Sequence, residues 1–368
     1  MINLKAQYLR IKPEIDEAIS SVLNSTQFIK GPIVKEFEQN LANYLDVNHV
    51  ISCANGTDAL QIALMSLNLS PGDEVIVPSF TYVATAEVIA LLGLEPVMVD
   101  VDVETFNVIP ENILEAITSK TKVIIPVHLF GQSCEMKKIM TIANEHELYV
   151  IEDNAQAIGS DYQNSDGSIN KTGTLGHIGC TSFFPSKNLG CYGDGGALFS
   201  NDEILSKKIR MIANHGQNKK YHHEIVGCNS RLDSIQAAVL NVKLKYLDEY
   251  NSVRFNRAEY YTSQLRNLDY CITPKLNKFS SHVFHQYTMQ IKDGKRNNLQ
   301  KYLSDFDIPS AIYYPIPLYK QNAYKTSDTT IHHKNTEYLC GSVLSLPIDS
   351  EITYEQQDKI IEHLKAYR

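Results

Sequence analysis

A chain of 368 residues, 43% hydrophobic and 21% charged, has room for two or three domains and is too apolar for a disordered or low-complexity protein. With 34 Lys+Arg against 42 Asp+Glu the net charge is −8, which repels nucleic acid and anionic membrane, so an anionic ligand must be met by local donors. No run approaches ~18 apolar residues, and Met1-Ile2-Asn3-Leu4-Lys5 lacks a basic region followed by an apolar stretch, so neither membrane spanning nor export is expected.

The first two-thirds alternates short β-branched runs with longer helical patterns. Val50-Ile51 reads as a strand, followed by a helix with apolar residues at Ala59, Ile62, Ala63 and Leu67. Val75-Ile76-Val77 follows a Pro71-Gly72-Asp73 turn, and Ala84–Leu92 reads as a helix. Pro96–Val99 ends in Asp100, Val123–Val127 ends in His128, Met136–His146 reads as a helix, and Tyr149-Val150-Ile151 ends in Glu152-Asp153. Runs apolar on both faces are expected of parallel strands covered by helices on two sides. The pattern implies an α/β domain with a mostly parallel sheet, whose ligands sit beyond the carboxyl ends of the strands. Asn164–Gly173, rich in Asn, Ser and Gly, reads as a surface loop.

The texture changes after about residue 245. A long charged helix, Leu232–Arg257, leads to the alternating strand Gln286–Ile291, the helix Arg296–Leu303 and then Tyr313-Tyr314-Pro315. Two domains are expected: a large α/β domain over residues 1–244 and a smaller α+β domain over 245–368. Seven scattered cysteines (53, 134, 180, 191, 228, 271 and 340) never form Cys-x-x-Cys, as expected of reduced thiols in a cytoplasmic protein.

Three segments carry chemistry. In Ser52-Cys53-Ala54-Asn55-Gly56-Thr57-Asp58-Ala59 a strand gives way to a helix. Gly56 lets backbone approach a ligand, Thr57 can cap the helix, and free N–H groups there form a phosphate cradle. By itself this segment reads equally as an Asn-Gly turn with a helix cap. Asp153 ends a buried strand, where an acid is costly unless it meets a cation or a strong donor. It is either a helix cap or a counter-ion for a buried heterocyclic nitrogen. Third, Lys187 lies among aromatic, Pro and small residues in Thr181–Gly190, followed by Gly193-Asp194-Gly195-Gly196 and an apolar strand. A partly desolvated amine loses its proton more readily and becomes a Schiff-base nucleophile. Phosphate donors, a carboxylate and an amine are the three anchors that pyridoxal 5′-phosphate requires.

With these segments, and with Phe28-Ile29-Lys30-Gly31-Pro32, Gly72–Ile76 and Tyr314-Pro315, the chain resembles the DegT/StrS family of fold-type-I pyridoxal-phosphate enzymes, aminotransferases of nucleotide-linked keto sugars. The resemblance covers nearly the whole chain. It implies that Lys187 binds the cofactor covalently and shuttles the proton, and that Asp153 pairs with the pyridinium nitrogen. It implies also that Tyr82 stacks on the ring with Gln156 opposite, and that Gly56, Thr57 and Ser182 hold the phosphate. Asn229, in Asn214-His215-Gly216-Gln217 to Asp233, would cross to a neighbouring subunit's cofactor, which makes the expected assembly a homodimer with shared sites. Arg231 is the candidate for an anionic substrate group, although Arg231-Leu232-Asp233 reads equally as an ion pair opening a helix. Phe184, Tyr313 and Tyr314 are further substrate-side candidates.

The text is similar to that of enzymes aminating C3 of UDP-linked 3-keto sugars such as UDP-2-acetamido-2-deoxy-3-oxoglucuronate. One departure is Tyr313-Tyr314-Pro315, where such enzymes usually carry His-Tyr-Pro. The implied reaction moves an amino group from L-glutamate, releasing 2-oxoglutarate, to a UDP- or dTDP-linked keto sugar for surface polysaccharide or O-antigen synthesis. Family dehydratases replace the lysine by histidine, and Lys187 disfavours that alternative. A cofactor-binding regulator without catalysis is another alternative. His282-Val283-Phe284-His285 lacks a Glu and a third ligand, so no metal is expected. His222-His223 and His332-His333 read as surface or interface residues.

Overall fold

The computed structural model describes residues 1–324 and 332–367. Its strands, in chain order, are β1 (His49–Cys53), β2 (Glu74–Pro78), β3 (Glu95–Val99), β4 (Thr121–Ile124), β5 (Tyr149–Asp153), β6 (Asp161–Gln163), β7 (Ile169–Lys171), β8 (Ile178–Ser182), β9 (Gly196–Ser200), β10 (Gln217–Lys219), β11 (His222–His223), β12 (Cys271–Ile272), β13 (Tyr287–Ile291) and β14 (Val343–Leu346). The central sheet has seven strands in the order β1-β9-β8-β5-β4-β2-β3. Its β2–β3, β2–β4, β4–β5 and β5–β8 pairs are parallel, while β9 runs antiparallel to both β8 and β1. This is the expected mostly parallel α/β sheet.

The expected strands and helices appear with small shifts at their ends. β2 and β5 are buried after their first residue, as parallel strands sandwiched by helices should be. β3 departs from that pattern and is only half-buried, because it is the sheet edge, where Pro96 also withholds no needed ladder donor. One core packs helix Gly56–Met65 through Ala59, Ile62 and Ala63 against Ile51, Val75 and Ile151. Another lies on the opposite face under helix Met136–Glu145.

Two expectations about local structure are corrected. Asn164–Gly173 contains the second strand of a hairpin, β6–β7, with its turn at Gly167 (φ +87°). The helix expected over Leu232–Arg257 is two helices, Ser234–Leu244 and Leu247–Leu265. No Pro or Gly marks the break. The residues between them, Lys245 and Tyr246, both turn to Glu14 of helix Lys12–Ser25, a tertiary contact that no local period records. The second helix contributes Leu247 to a core of the large sheet and Ala258, Tyr261 and Leu265 to the core behind the three-stranded sheet β12-β13-β14.

The reversed direction of β9 positions the site. Antiparallel neighbours need no crossover helix. Residues 183–195 therefore leave β8 and re-enter β9 at one rim of the sheet, the carboxyl end of β8 and β5. Lys187 lies in that span.

Candidate active site

The rim assembles most of the expected residues. At its phosphate-like end Asn55 is the helix cap: its side-chain oxygen accepts from the Asp58 N–H at 2.8 Å. The cap expected at Thr57 is thus corrected, since Thr57 lies one residue inside the helix. Capping by Asn55 satisfies Asp58 and leaves the Gly56 and Thr57 N–H groups without intrahelical acceptors. Gly56 is pressed against Ser182 at the end of β8, where an added Cβ would stand 2.6 Å from the Ser182 Cβ. The half-buried Ser182 and the helix N-terminus thereby lie against each other, and a helix N-terminus favours an anion.

Asp153 ends β5 and is buried, 6% exposed. Thr85 Oγ1 donates to one carboxylate oxygen at 3.0 Å and the Ala155 N–H to the other at 3.1 Å. Burial pushes its pKa up, opposed by those two donors and by the charge of Lys187. Lys187 is half-buried, and burial lowers its amine to about 8, with Asp153 pulling the other way. The helix-cap alternative for Asp153 does not hold, because a turn and not a helix follows it.

Gln156 presents its oxygen to the Phe130 N–H at 2.7 Å and its amide nitrogen to the Tyr314 hydroxyl at 3.2 Å. Burial raises the Tyr314 pKa, so the phenol stays protonated. Tyr82 packs beside Tyr314 with ring centroids 6.2 Å apart, yet is 57% exposed, and Tyr313 follows 6.0 Å beyond Tyr314. Phe184 is 53% exposed, at the start of the lysine loop. Apolar area of this size open to solvent beside buried charges is what a stacked ring would cover.

Asn229 and Arg231 flank Ser230, whose hydroxyl accepts the Ala54 N–H at 3.0 Å, next to the Asn55 cap. Asn229 is exposed and bridges Asn214. Arg231 lines a separate cavity of about 500 Å³ with Lys30, Lys35, Glu38 and Arg210. Lys30 has its pKa lowered by burial and then by Arg231 and Arg210, so the cavity carries surplus positive potential despite the Arg210–Glu38 pair at 2.9 Å. The ion pair envisaged between Arg231 and Asp233 is not formed; Asp233 instead caps the helix through the Gln236 N–H.

Sequence reasoning assigned no role to several residues of the site. Thr85 is the side-chain donor to Asp153. Beneath it, His128 Nε2 and Glu152 meet at 2.7 Å, both fully buried, and Glu152 accepts the Gly173, Leu175 and Gly176 N–H groups. His128 and Glu152 ended apolar runs, so a signal existed. His333, expected at a surface or interface, is half-buried with Nδ1 2.8 Å from Ser79 Oγ. Among the described residues no group of three or more His, Cys, Asp or Glu gathers at metal-binding distance, and His282 instead stacks on Phe284 at 3.8 Å.

With Lys187 in the loop after β8, Asp153 buried at the end of the neighbouring β5 and a helix N-terminus against Ser182, the chain matches over residues 9–365 a family described as the DegT/DnrJ/EryC1/StrS aminotransferase family. The chain belongs to that family. The aminotransferase is 48% identical to the UDP-2-acetamido-2-deoxy-3-oxo-D-glucuronate aminotransferase of Pseudomonas aeruginosa, over 94% of each chain. It is 43% identical to a "Pleiotropic regulatory protein" of Geobacillus stearothermophilus, over 100% of this chain and 98% of that one. Among solved structures, S. venezuelae DesV in complex with a ketimine intermediate superposes with a TM-score of 0.94 at 36% identity, covering 99% of this chain and 97% of that one. The aminotransferase uses pyridoxal 5′-phosphate, as its family does. The residues present fit that group. The Gly56–Ser182 cradle is closed by any Cβ and suits a phosphate, Asp153 is a buried carboxylate short of one cationic partner, and Lys187 supplies the amine.

Proposed function

We propose that the aminotransferase moves an amino group from L-glutamate to a keto carbon, C3, of a UDP- or dTDP-linked keto sugar, in the cytoplasm and toward surface polysaccharide such as O-antigen. The observation that carries this reading is the placement of Lys187 in the loop between β8 and β9, at the rim where the buried Asp153 ends the neighbouring strand β5 and accepts from Thr85 and the Ala155 N–H. Bound pyridoxal 5′-phosphate supplies an aldehyde that takes up and returns an amino group, and a ring that accepts an electron pair. Lys187 would hold the cofactor through its amine and, when free, would carry a proton as general acid and base. A pKa near 8 keeps both of its forms accessible near neutral pH. Thr85 and the Ala155 N–H hold the Asp153 carboxyl in place, and since burial raises its pKa a cationic ring nitrogen would be the partner that favours its charge. The Gly56 and Thr57 N–H groups and the Ser182 hydroxyl hold the phosphate. Tyr82 and Gln156 bracket the ring.

Phe184, Tyr313, Tyr314 and Arg231 are assigned to the substrate, Arg231 as a planar donor to an anionic group. In this proposal the protein is a homodimer in which Asn229 reaches the neighbouring subunit's cofactor. Its exposure, next to Ser230 that accepts the Ala54 N–H beside the helix cap, supports that role. Residues 1–244 carry the cofactor and residues 245–368 form the smaller domain. The relative named as a regulatory protein favours a second reading, a cofactor-binding regulator. Adding L-glutamate to the yellow protein separates the two: conversion of the visible cofactor band to a near-ultraviolet one, lost in Lys187→Ala, marks a transaminase. A band indifferent to glutamate marks the regulator. Amination of a UDP- or dTDP-3-keto sugar then tests the substrate, and activity with neither nucleotide refutes it.

A further inference from the structure

The residue that follows the lysine is tied into a buried network that the chemistry above does not use. Asn188 is 4% exposed. Its amide nitrogen donates to Asn251 Oδ1 at 2.7 Å and to the Val283 carbonyl at 3.0 Å, and its oxygen meets His285 Nδ1 at 3.2 Å. Asn251, on helix Leu247–Leu265, donates in turn to the carbonyl of Ile158 at 3.1 Å. That carbonyl belongs to the turn following Asp153. Arg254, one helical turn further along the same helix, is fully buried and donates to the carbonyls of Phe284, His285 and Ile348 at 3.2–3.4 Å.

The chemistry of the ends fixes the whole chain of bonds. Val283 and Ile158 present carbonyl oxygens, which only accept, so both asparagine amide nitrogens must point at them. The Asn188 oxygen is then left facing His285, whose Nδ1 must carry the proton. The neutral imidazole is the form the surroundings favour, since burial, Lys187 and Arg254 all hold its pKa well below the ordinary value. There is no room for slack: a Cβ on Gly159 would stand 2.5 Å from the Asn251 amide nitrogen.

We propose that Asn188, Asn251 and His285 are positioning residues for the reactive amine, a clamp that ties the backbone after Lys187 to the backbone after Asp153 and so sets their separation. The clamp rests on Lys187 being the reactive amine. That assignment is tested separately by locating borohydride-fixed cofactor on Lys187 in the unaltered protein by peptide mass spectrometry.

The clamp itself is tested with His285→Leu, which removes the donor, His285→Gln, whose amide N–H reaches the same oxygen, and Asn251→Ala. In cofactor-free protein the pH midpoint for acylation of Lys187 by acetic anhydride, followed by mass spectrometry, should rise by about one unit in the Leu and Ala variants as the amine swings out of its buried position. Loss of cofactor from loaded protein on dilution should quicken about tenfold in the same variants. His285→Gln should keep both readings near those of the unaltered protein. If Asn251→Ala does not fold, the two His285 variants, which leave both amides in place, decide by the same readings. An unchanged midpoint and cofactor-loss rate in folded His285→Leu overturns the proposal, as do equal losses in the Leu and Gln variants.

Discussion

Replacing Gly56 by alanine tests the phosphate cradle proposed at the helix start. The new methyl group would stand 2.6 Å from the Ser182 Cβ and 3.2 Å from its Cα and Oγ, whereas ordinary contact begins near 3.4 Å. Either the helix start or Ser182 must retreat by about 0.8 Å. Ser182 ends β8, which lies between β5 and β9 in the middle of the sheet, so its backbone has little freedom to move. Forced overpacking of this kind costs ~1–3 kcal/mol. If the strain falls on the bound state, cofactor affinity weakens by about 5- to 150-fold. Helix propensity pulls the other way, since alanine in a helix is better than glycine by roughly 0.5–1 kcal/mol. The two effects separate in one experiment: fluorescence titration of cofactor-free protein with pyridoxal 5′-phosphate, alongside thermal unfolding without cofactor. The cradle account requires a raised dissociation constant. A dissociation constant within twofold of the unaltered protein, with a higher unfolding midpoint, would leave propensity as the only effect and refute it.

Lys243 is 1% exposed, donates to the Gly190 carbonyl at 2.7 Å, and is lowered by burial from 10.5 to about 8. Its folded pKa is depressed, so the burial penalty is fully present below pH 8 and is relieved as pH rises toward 10.5. The unaltered protein should therefore gain on Lys243→Met by roughly 2 kcal/mol between pH 7 and pH 9.5 in urea unfolding, and a pH-independent difference sinks the idea. Glu152→Gln sets an amide against three backbone N–H donors in a fully buried place, with an expected cost of about 3 kcal/mol or more. Denaturant unfolding that shows less than ~1 kcal/mol would mean that the carboxylate is not what holds this turn. Thr85→Val removes the one side-chain donor to Asp153, which should raise its pKa further and weaken cofactor binding about tenfold. Titration with pyridoxal 5′-phosphate checks it, and unaltered affinity counts against the role given to Thr85.

Local signals carried far in this chain. β-branched runs ending in Asp153, His128 and Asp100 marked the strands and the rim where the site lies, because strand ends and burial are set by neighbours in sequence. The apolar strand read after the Gly-rich turn is present as β9, but nothing in that turn showed that it would run antiparallel. What stayed hidden depended on partners far away along the chain. Nothing near Lys245 announces Glu14, 231 residues earlier, so the break between two helices read as one. Asn188 meets Val283 and His285 across 95 and 97 residues, and His333 meets Ser79 across 254. The choice of Asn55 over Thr57 as cap was a matter of two residues, decided by which backbone turned extended. Ser230, between Asn229 and Arg231, meets Ala54 beside the helix cap across 176 residues, a contact that motif spacing does not record.

The hairpin between β6 and β7 offers a practical handle. At its tip, Gly167 has open space where a side chain would begin, while the span from Phe183 to Gly195 is stitched at both ends into the middle of the sheet. A fluorophore or an affinity peptide grafted at the tip leaves the lysine loop undisturbed. The same graft within the loop would unzip the ladder on either side of it.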